Sequence, residues 1–293
     1  MKEIHTLKIA ELLAWGDQML HKAGWENSRR EAEILLSYVL GVPFSFLLTR
    51  LQEKVTSFQG EAYQKLILRR QNFEPLQYLT GVQNFMSLDF EVNDQVLIPR
   101  WDTEILVELA LERLKDIPDP RVVDVGTGSG AIIVSLAHFL NRGRFFAIDI
   151  APKALQVAQR NAERHKVAEK ITFLNGDLLE PLLTLVKDQK IEFDLVVSNP
   201  PYIPDAELKT LPLDVQKEPF LALAGGEDGL SCYRRLLPQA QEILKPGGLI
   251  LLEIGWNQGG DVSFLCESQG LIKISVTRDY GGRDRVVAAS CRG

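Results

Sequence analysis

Cysteine is scarce in this chain: Cys232, Cys266 and Cys291 are the only three among 293 residues, and no two stand in C-x-x-C spacing. That excludes a disulfide framework and gives no support to a zinc site. Long apolar runs are missing as well. The longest, such as residues 248–254, fall far short of the roughly 18 residues that a membrane-spanning helix needs. The opening stretch MKEIHTLKIAELLAW carries Glu3 and Glu11 and lacks a continuous apolar core, so a secretory signal is not expected. A cytoplasmic location follows as an expectation. An excess of positive charge is also lacking, with 33 basic against 39 acidic residues and a net charge of −6. Bulk binding to nucleic acid rests on phosphate neutralisation, and this balance disfavours it. Repeats and low-complexity tracts are absent too.

What is present reads as an ordinary globular protein, 45% hydrophobic and 25% charged, long enough for two domains. Residues 1–80 show helical periodicity, with Ile9, Leu12, Leu13, then Ala32, Leu35, Leu36, Val39, then Leu66 and Ile67, and predict a bundle of about four helices. From Val82 the pattern alternates through Phe85, Leu88, Phe90 and Val92. The Asn93-Asp94 pair before Val96 to Ile98 then predicts a hairpin turn, so that residues 81–98 form a β-hairpin linker. Asp102 and Thr103 are candidate caps for a helix that begins near Glu104.

Beyond Pro120 strands and helices alternate. Strands are expected at residues 121–125, 144–150, 171–174, 193–198, 248–254, 271–276 and 285–289, and helices at 131–140, 152–165 and 233–244. Apolar strands interleaved with helices predict an α/β fold with a parallel sheet covered on both faces, the last two strands forming an antiparallel pair. Residues 99–293 are the expected catalytic domain. The stretch of about thirty residues between Asn199 and Gly229 is too long to be a plain connection, and its length points to function.

Two motifs carry chemistry. VVDVGTGSGAI runs from a strand into a helix, and Gly126, Gly128 and Gly130 let the backbone turn sharply against a ligand while helix N–H groups point outward. Asp149 ends the next strand, where an acid can hold a ribose. Together they predict a nucleoside ligand. Asp124, just before the glycines, favours a cationic ligand over a pyrophosphate, and the D-x-G-x-G-x-G spacing resembles the S-adenosylmethionine site of Rossmann-like methyltransferases. Asp177, after the third strand, stands where that family holds the adenine.

The second motif is NPPY, Asn199 to Tyr202, at the end of the apolar strand FDLVVS. Gly126, Asp149, Asp177 and Asn199 all fall at carboxyl ends of strands, where open parallel sheets bind ligands. The Asn199 side-chain oxygen and the Pro200 carbonyl are two acceptors for the N–H groups of a planar amide or aromatic amine. Pro200 and Pro201 fix their geometry, and Tyr202 is expected to stack on the flat substrate. A planar nitrogen of either kind meets these needs, so an adenine of DNA or RNA and a glutamine both stay open at this point. A module that binds without turnover is a third reading, against which Asn199 and Tyr202 stand.

The blocks QYLTG at 77–81, LIPRWDTE at 97–104, DVGTGSGAI at 124–132, FDLVVSNPPYIP at 193–204, EPFLALAGGEDGL at 218–230, LKPGGLILLEIG at 244–255 and GRDRVV at 282–287 resemble the release factor glutamine methyltransferase family. The resemblance spans nearly the whole chain. It implies a Rossmann-like seven-stranded methyltransferase domain joined to a small helical domain that recognises substrate. It also implies methyl transfer from S-adenosylmethionine to the side-chain nitrogen of the Gly-Gly-Gln glutamine in class I peptide chain release factors, with no metal and no membrane. By position it assigns the donor to Gly126, Thr127, Gly128, Ser129, Gly130 and Asp149, with Asp177, Leu178 and Asn199 beside it. The glutamine falls to Asn199, Pro200, Pro201 and Tyr202, and Arg100, Glu218 and Pro219 shape the substrate mouth. Two positions depart from the family pattern: Trp101 replaces a usual proline, and Leu178 an aromatic that often follows the acid near the adenine.

Overall fold

The computed structural model describes residues 7–183 and 191–292, which fall into two compact units. The first holds the chain up to Gly81 together with Pro212–Lys217. Its helices are α1 (Ile9–Lys22), α2 (Ser28–Leu40), α3 (Phe44–Thr49), α4 (Ser57–Gln71) and α5 (Leu76–Thr80). The sequence implied about four, with periodic residues named for α1, α2 and α4; α3 and α5, of six and five residues, are too short to print a helical period. Leu12, Leu13, Leu20, Leu35, Leu36, Leu47, Tyr63 and Ile67 form the core. Thr56 caps α4 by accepting from the Gln59 N–H, and α2 stops at Gly41, whose φ of 65° suits glycine. Arg70 is buried in this unit. It pairs with Glu31 at 2.6 Å, stacks 3.4 Å from the Trp25 ring centre and reaches Asp214 at 3.4 Å.

The second unit begins at Val82 with a hairpin, β1 (Val82–Phe85) and β2 (Leu88–Glu91). Its turn is Met86-Ser87, both at positive φ (50° and 60°), and not the predicted Asn93-Asp94. Neither residue is a usual turn former in that conformation, which is why the sequence hid it. The Met86 N–H is held instead by Glu104 Oε1 at 2.7 Å. The expected capping of the following helix, α6 (Glu104–Leu114), also differs. A single 3₁₀ turn at Trp101–Thr103 precedes it, and Thr103 makes no side-chain cap.

A seven-stranded sheet then forms from β3 (Arg121–Val125), β4 (Arg144–Asp149), β5 (Ile171–Asn175), β6 (Phe193–Ser198), β7 (Leu244–Glu253), β8 (Ile272–Arg278) and β9 (Asp284–Ser290), in the order β5-β4-β3-β6-β7-β9-β8. The first five are parallel and β9 pairs antiparallel with β8, as expected; β9 is also antiparallel to β7. Between them lie α7 (Ala131–Phe139), α8 (Pro152–Arg164), α9 (Phe220–Leu223), α10 (Ser231–Ile243) and α11 (Gly259–Ser268). Neither α9 nor α11 was foreseen. Strand alternation sorts the core onto two faces: Val122, Leu195 and Val197 pack with α6 and α7, whereas Val123, Val125 and Val196 pack with α10 and α11. Both faces are thus covered, which is why the strands read as unbroken apolar runs.

Candidate active site

The strand order reverses between β3 and β6, and there the two strand ends are tied by Ser198 Oγ donating to the Val125 carbonyl at 2.6 Å. Crossovers leave in opposite directions from such a point and open a crevice. A cavity of about 290 Å³ occupies it, lined from β3 by Val125, Gly126 and Gly128, from β4 by Ile148 to Ala151, after β5 by Gly176 to Leu178, and after β6 by Ser198 to Pro201. Gln95 to Leu97, Ala154 of α8, Pro219 with Leu221, Ala222 and Ala224, and, from α10, Ser231, Cys232 and Arg235 complete its wall.

The glycine turn is held from outside the cavity. Gly126, Gly128 and Gly130 have φ of 73°, 56° and 80°, a region that side chains resist. Gly126 and Thr127 donate their N–H groups to the Ile148 carbonyl, both at 2.9 Å. Asp149 accepts from the Gly128 N–H with one oxygen and from the Ala151 N–H with the other, each at 2.8 Å. Its burial raises its pKa, and these two bonds act against the rise. Thr127, Ser129 and Gly130 do not line the cavity. The Thr127 hydroxyl donates to Asp124 at 2.7 Å, the Ser129 carbonyl accepts from Asn161 at 2.8 Å, and Gly130 lets α7 lie against Ala158, 3.1 Å from where a Cβ would sit.

Asp124 lies beneath the turn, fully buried, and does not meet the cavity as the sequence suggested. Burial pushes its carboxyl up to about 7 despite the Thr127 bond. Asp177 and Leu178 do reach the cavity. Asp177 is paired with Arg235 at 2.5 Å, and Leu178 sits at φ 50°.

On the other wall Asn199, Pro200 and Pro201 line the cavity, and Asn199 Nδ2 donates to Thr103 Oγ1 at 3.2 Å. That leaves Oδ1 as the end of the side chain able to accept. Tyr202 was expected to lie over a substrate, but it turns away from the cavity. Its ring packs on the cluster that contains Tyr233 and Leu252, its hydroxyl donates to Glu253 Oε1 at 3.4 Å, and its carbonyl accepts from Gln258 Nε2 at 3.0 Å. Burial, then the Glu253 charge, raises the Tyr202 hydroxyl pKa. Arg100 and Glu218 do not line the cavity either: they form an ion pair with each other, and Glu218 also accepts from the Ile98 N–H at 3.0 Å. Pro219, next along, does line it.

Sequence reasoning passed over Gln258 and Glu253 and took Thr103 only for a helix cap. The last stands at the carboxyl end of β7, 1% exposed, and burial pushes its carboxyl up to about 7 against the favourable effects of Thr103 and Arg285. A lone acid closing the apolar run LILLE was the available signal. Among the described residues no group of His, Cys, Asp or Glu could hold a metal ion, and no helix is long and apolar enough to cross a membrane.

Residues 11–81 match a family described as the PrmC N-terminal domain, and residues 118–271 one described as a methyltransferase domain. The release factor glutamine methyltransferase of Moorella thermoacetica is 47% identical over 97% of this chain and 98% of its own, and that of Geobacter sulfurreducens 42% over 97% and 96%. Among solved structures, the Thermus thermophilus 16S rRNA N2 G1207 methyltransferase, in complex with AdoMet and guanosine, overlays with a TM-score of 0.51. At 20% identity over 72% of this chain and 50% of that one, it shares the fold. With such identity over almost the full length of the first two relatives, the protein is an enzyme that belongs to the release factor glutamine methyltransferase family.

Proposed function

We infer that the protein transfers a methyl group from S-adenosylmethionine to the side-chain nitrogen of the glutamine in the Gly-Gly-Gln motif of class I peptide chain release factors, in the cytoplasm. The observation that carries this reading is Asn199, on the cavity wall with its Nδ2 engaged by Thr103 and its oxygen left to accept. The donor fits the residues present. Gly126 offers bare backbone with nothing within 4 Å of a would-be Cβ, Asp149 and Asp177 supply carboxylates for ribose and base, and Ile148, Ile150, Ala154 and Leu178 give the base apolar surface. When bound, S-adenosylmethionine supplies an electrophilic methyl on a cationic sulfur.

The protein's own part is positional. An amide nitrogen is a poor nucleophile because its lone pair is delocalised, with a rotation barrier of about 18–20 kcal/mol as the measure of that resonance. Asn199 Oδ1 and the Pro200 carbonyl each accept one N–H and aim the nitrogen, and holding reactants in line can supply about 7–11 kcal/mol of a barrier. Pro200 and Pro201 set those acceptors in place beforehand. Tyr202, anchored on Glu253 and Gln258, braces this lip from behind. A general base is not needed at the outset, because a proton leaves readily once the nitrogen has become cationic. The Arg100–Glu218 pair fixes the strand of chain beside the mouth, and the helical unit of residues 1–80 recognises the protein substrate, with 81–98 joining it to the catalytic domain.

The test is mass spectrometry of each class I release factor after incubation with enzyme and donor. One added methyl on the Gly-Gly-Gln glutamine is expected. Methylation of an adenine in an oligonucleotide, with none on the factor, would overturn the reading.

A further inference from the structure

A glutamine side chain extends about 5 Å from its own Cα. A glutamine whose nitrogen reaches Asn199 therefore leaves its backbone at the mouth of the cavity, and the residues beside it in the substrate lie on the rim. Two segments of the second unit build that rim. One is the 3₁₀ turn at Trp101–Thr103, whose Thr103 hydroxyl accepts from Asn199 Nδ2 at 3.2 Å. The other is α9 with the proline before it, where Pro219, Leu221 and Ala222 line the cavity. The Arg100–Glu218 ion pair ties the two together, and the Glu218 carboxylate, its side chain 2% exposed, also accepts from the Ile98 N–H.

These segments carry three large apolar side chains in the open: Trp101 is 74% exposed, Phe220 64% and Leu221 66%. An apolar residue exposed singly is ordinary. Three of them on two tethered segments beside one cavity mouth mark a binding surface. The scaffold beneath is fixed. Around Trp101, Arg100 is tied to Glu218, Asp102 to Arg285 at 3.2 Å and Thr103 to Asn199, while the indole itself stands out in solvent. In α9 the Ala224 N–H donates to the Phe220 carbonyl at 2.9 Å, and the Ile203 N–H, just past NPPY, donates to the Leu223 carbonyl at 3.1 Å. A surface ordered in advance loses little freedom when it is covered.

We propose that Trp101, Phe220 and Leu221 form an apolar docking rim for the release-factor backbone beside the acceptor glutamine, with its Gly-Gly step lying on the aromatic faces. The inference rests on the function given above. The reach of the glutamine side chain sets the occupant: whatever else of the factor touches the enzyme, this step must pass the rim. Glycine suits the seat because, without a Cβ, its peptide planes come close to a flat ring. Trp101 stands where the family pattern usually has proline, so this aromatic anchor is the chain's own addition.

The experiment is a double-mutant cycle with full-length enzyme and factor. Trp101→Ala, Phe220→Ala and Trp101→Phe are each assayed against the natural factor and against a factor with alanine in place of the glycine that precedes the glutamine. Methyl transfer gives kcat and KM for the factor, and calorimetry gives donor affinity. Neither Trp101 nor Phe220 lines the cavity. W101A and F220A are each expected to raise KM by about 10-fold, as the loss of an aromatic anchor does, with kcat and donor affinity within about 3-fold, and W101F to recover most of it. The alanine factor is expected to raise KM by about 10-fold with the wild-type enzyme and by less than about 3-fold with W101A, because the two changes remove one contact. Phe264→Ala on α11, 67% exposed and off the cavity wall, should match the wild type. Wild-type KM in both W101A and F220A, or the same alanine penalty in every enzyme, would overturn the proposal. A dimer of the enzyme alone in sedimentation, lost in the W101A F220A double variant, would give the patch to a second copy and overturn it too, as would binding of a single-stranded oligonucleotide lost in that variant. If the wild type methylated no release factor, the function and the rim would fall together; normal methylation with unaffected variants removes the rim alone.

Discussion

Replacing Gly225 with alanine should damage catalysis from outside the cavity. Gly225 stitches the long loop back on itself: its N–H donates to the Ile203 carbonyl at 2.8 Å, the Ile203 N–H donates to Leu223 at 3.1 Å, and the Gly225 carbonyl accepts from Ser231 at 3.1 Å. Its φ is not in the left-handed region, so alanine meets no backbone penalty there. The obstacle is space. A Cβ would lie 2.8 Å from the Tyr202 carbonyl carbon, 2.9 Å from the Tyr202 Cα and 2.8 Å from the Gly229 Cα. Carbon atoms settle near about 3.5 Å, so these backbones must retreat by about 0.6–0.7 Å. Tyr202 cannot yield alone, because Gln258 holds its carbonyl, and the shift passes through Pro201 and Pro200 to Asn199. Overpacking of this sort costs about 1–3 kcal/mol, or a fall in Tm of about 2–12 °C. Misplacement of a reacting group by about 1 Å can cost about 100-fold in rate, so a loss of about 10- to 100-fold in kcat is expected, with donor affinity within about 3-fold. Gly260→Ala is the control. It stands in α11 with nothing within 4 Å of its Cβ and no positive φ, and alanine there should leave kcat alone and add up to about 1 kcal/mol of stability. Steady-state rates with release factor and thermal unfolding measure both. G225A with wild-type kcat and Tm would refute the idea that this loop is a rigid brace for Asn199.

Asn199→Ala should lower turnover by about 10-fold or more while donor affinity changes less, since that side chain acts on the substrate nitrogen; a large loss of donor affinity by calorimetry would contradict its role. The Asp124 carboxyl is raised from 3.8 to about 7, so the folded state binds its proton more tightly and loses stability as pH rises from about 4 to about 7, by on the order of 4 kcal/mol. Asp124→Asn should remove that part of the slope, leaving the Glu253 part, and chemical denaturation across this range would show a variant-minus-wild-type difference that grows with pH; a constant difference would count against it. Arg70→Ala leaves the half-buried Glu31 without its buried partner and Trp25 without its cation, at a cost of up to about 3 kcal/mol to the helical unit. Unfolding followed by the fluorescence of Trp25 and Trp15 should register it, and an unshifted transition would show that the pair is dispensable.

The parallel strands were legible in the sequence because a sheet covered on both faces needs unbroken apolar runs, and residues 193–198 end where the strand ends. Gly126, Gly128 and Asn199 were legible for a related reason: a strand that delivers a ligand site must stop abruptly, and glycine and proline mark the stop. The hairpin turn was not, because Met86 and Ser87 take positive φ without the residues that usually advertise it, and the more obvious Asn93-Asp94 drew the prediction away. The helix α11 escaped because its buried face is only Val262 and Cys266 beside Gly259, too little to mark a period.

Which way a motif's side chains turn is a different kind of information from where the motif lies. Within the glycine turn Thr127, Ser129 and Gly130 serve the scaffold and Gly128 the cavity, and within NPPY the first three residues form the wall while Tyr202 turns back to Glu253. Alternation along an extended segment sends neighbours to opposite sides, so a contiguous motif beside a cavity is divided between ligand and protein. The partners on the protein side come from other elements: Thr103 from the turn before α6, Glu253 from β7, Gln258 from just before α11. No local pattern joins them, since what selects each is the hydrogen-bonding need of a group that only the folded sheet brings near. Glu253 shows the consequence most clearly. As a letter at the end of LILLE it looks like a solvated strand end, yet in place it is 1% exposed and receives the hydroxyl of Tyr202, the residue of NPPY that turns back into the protein.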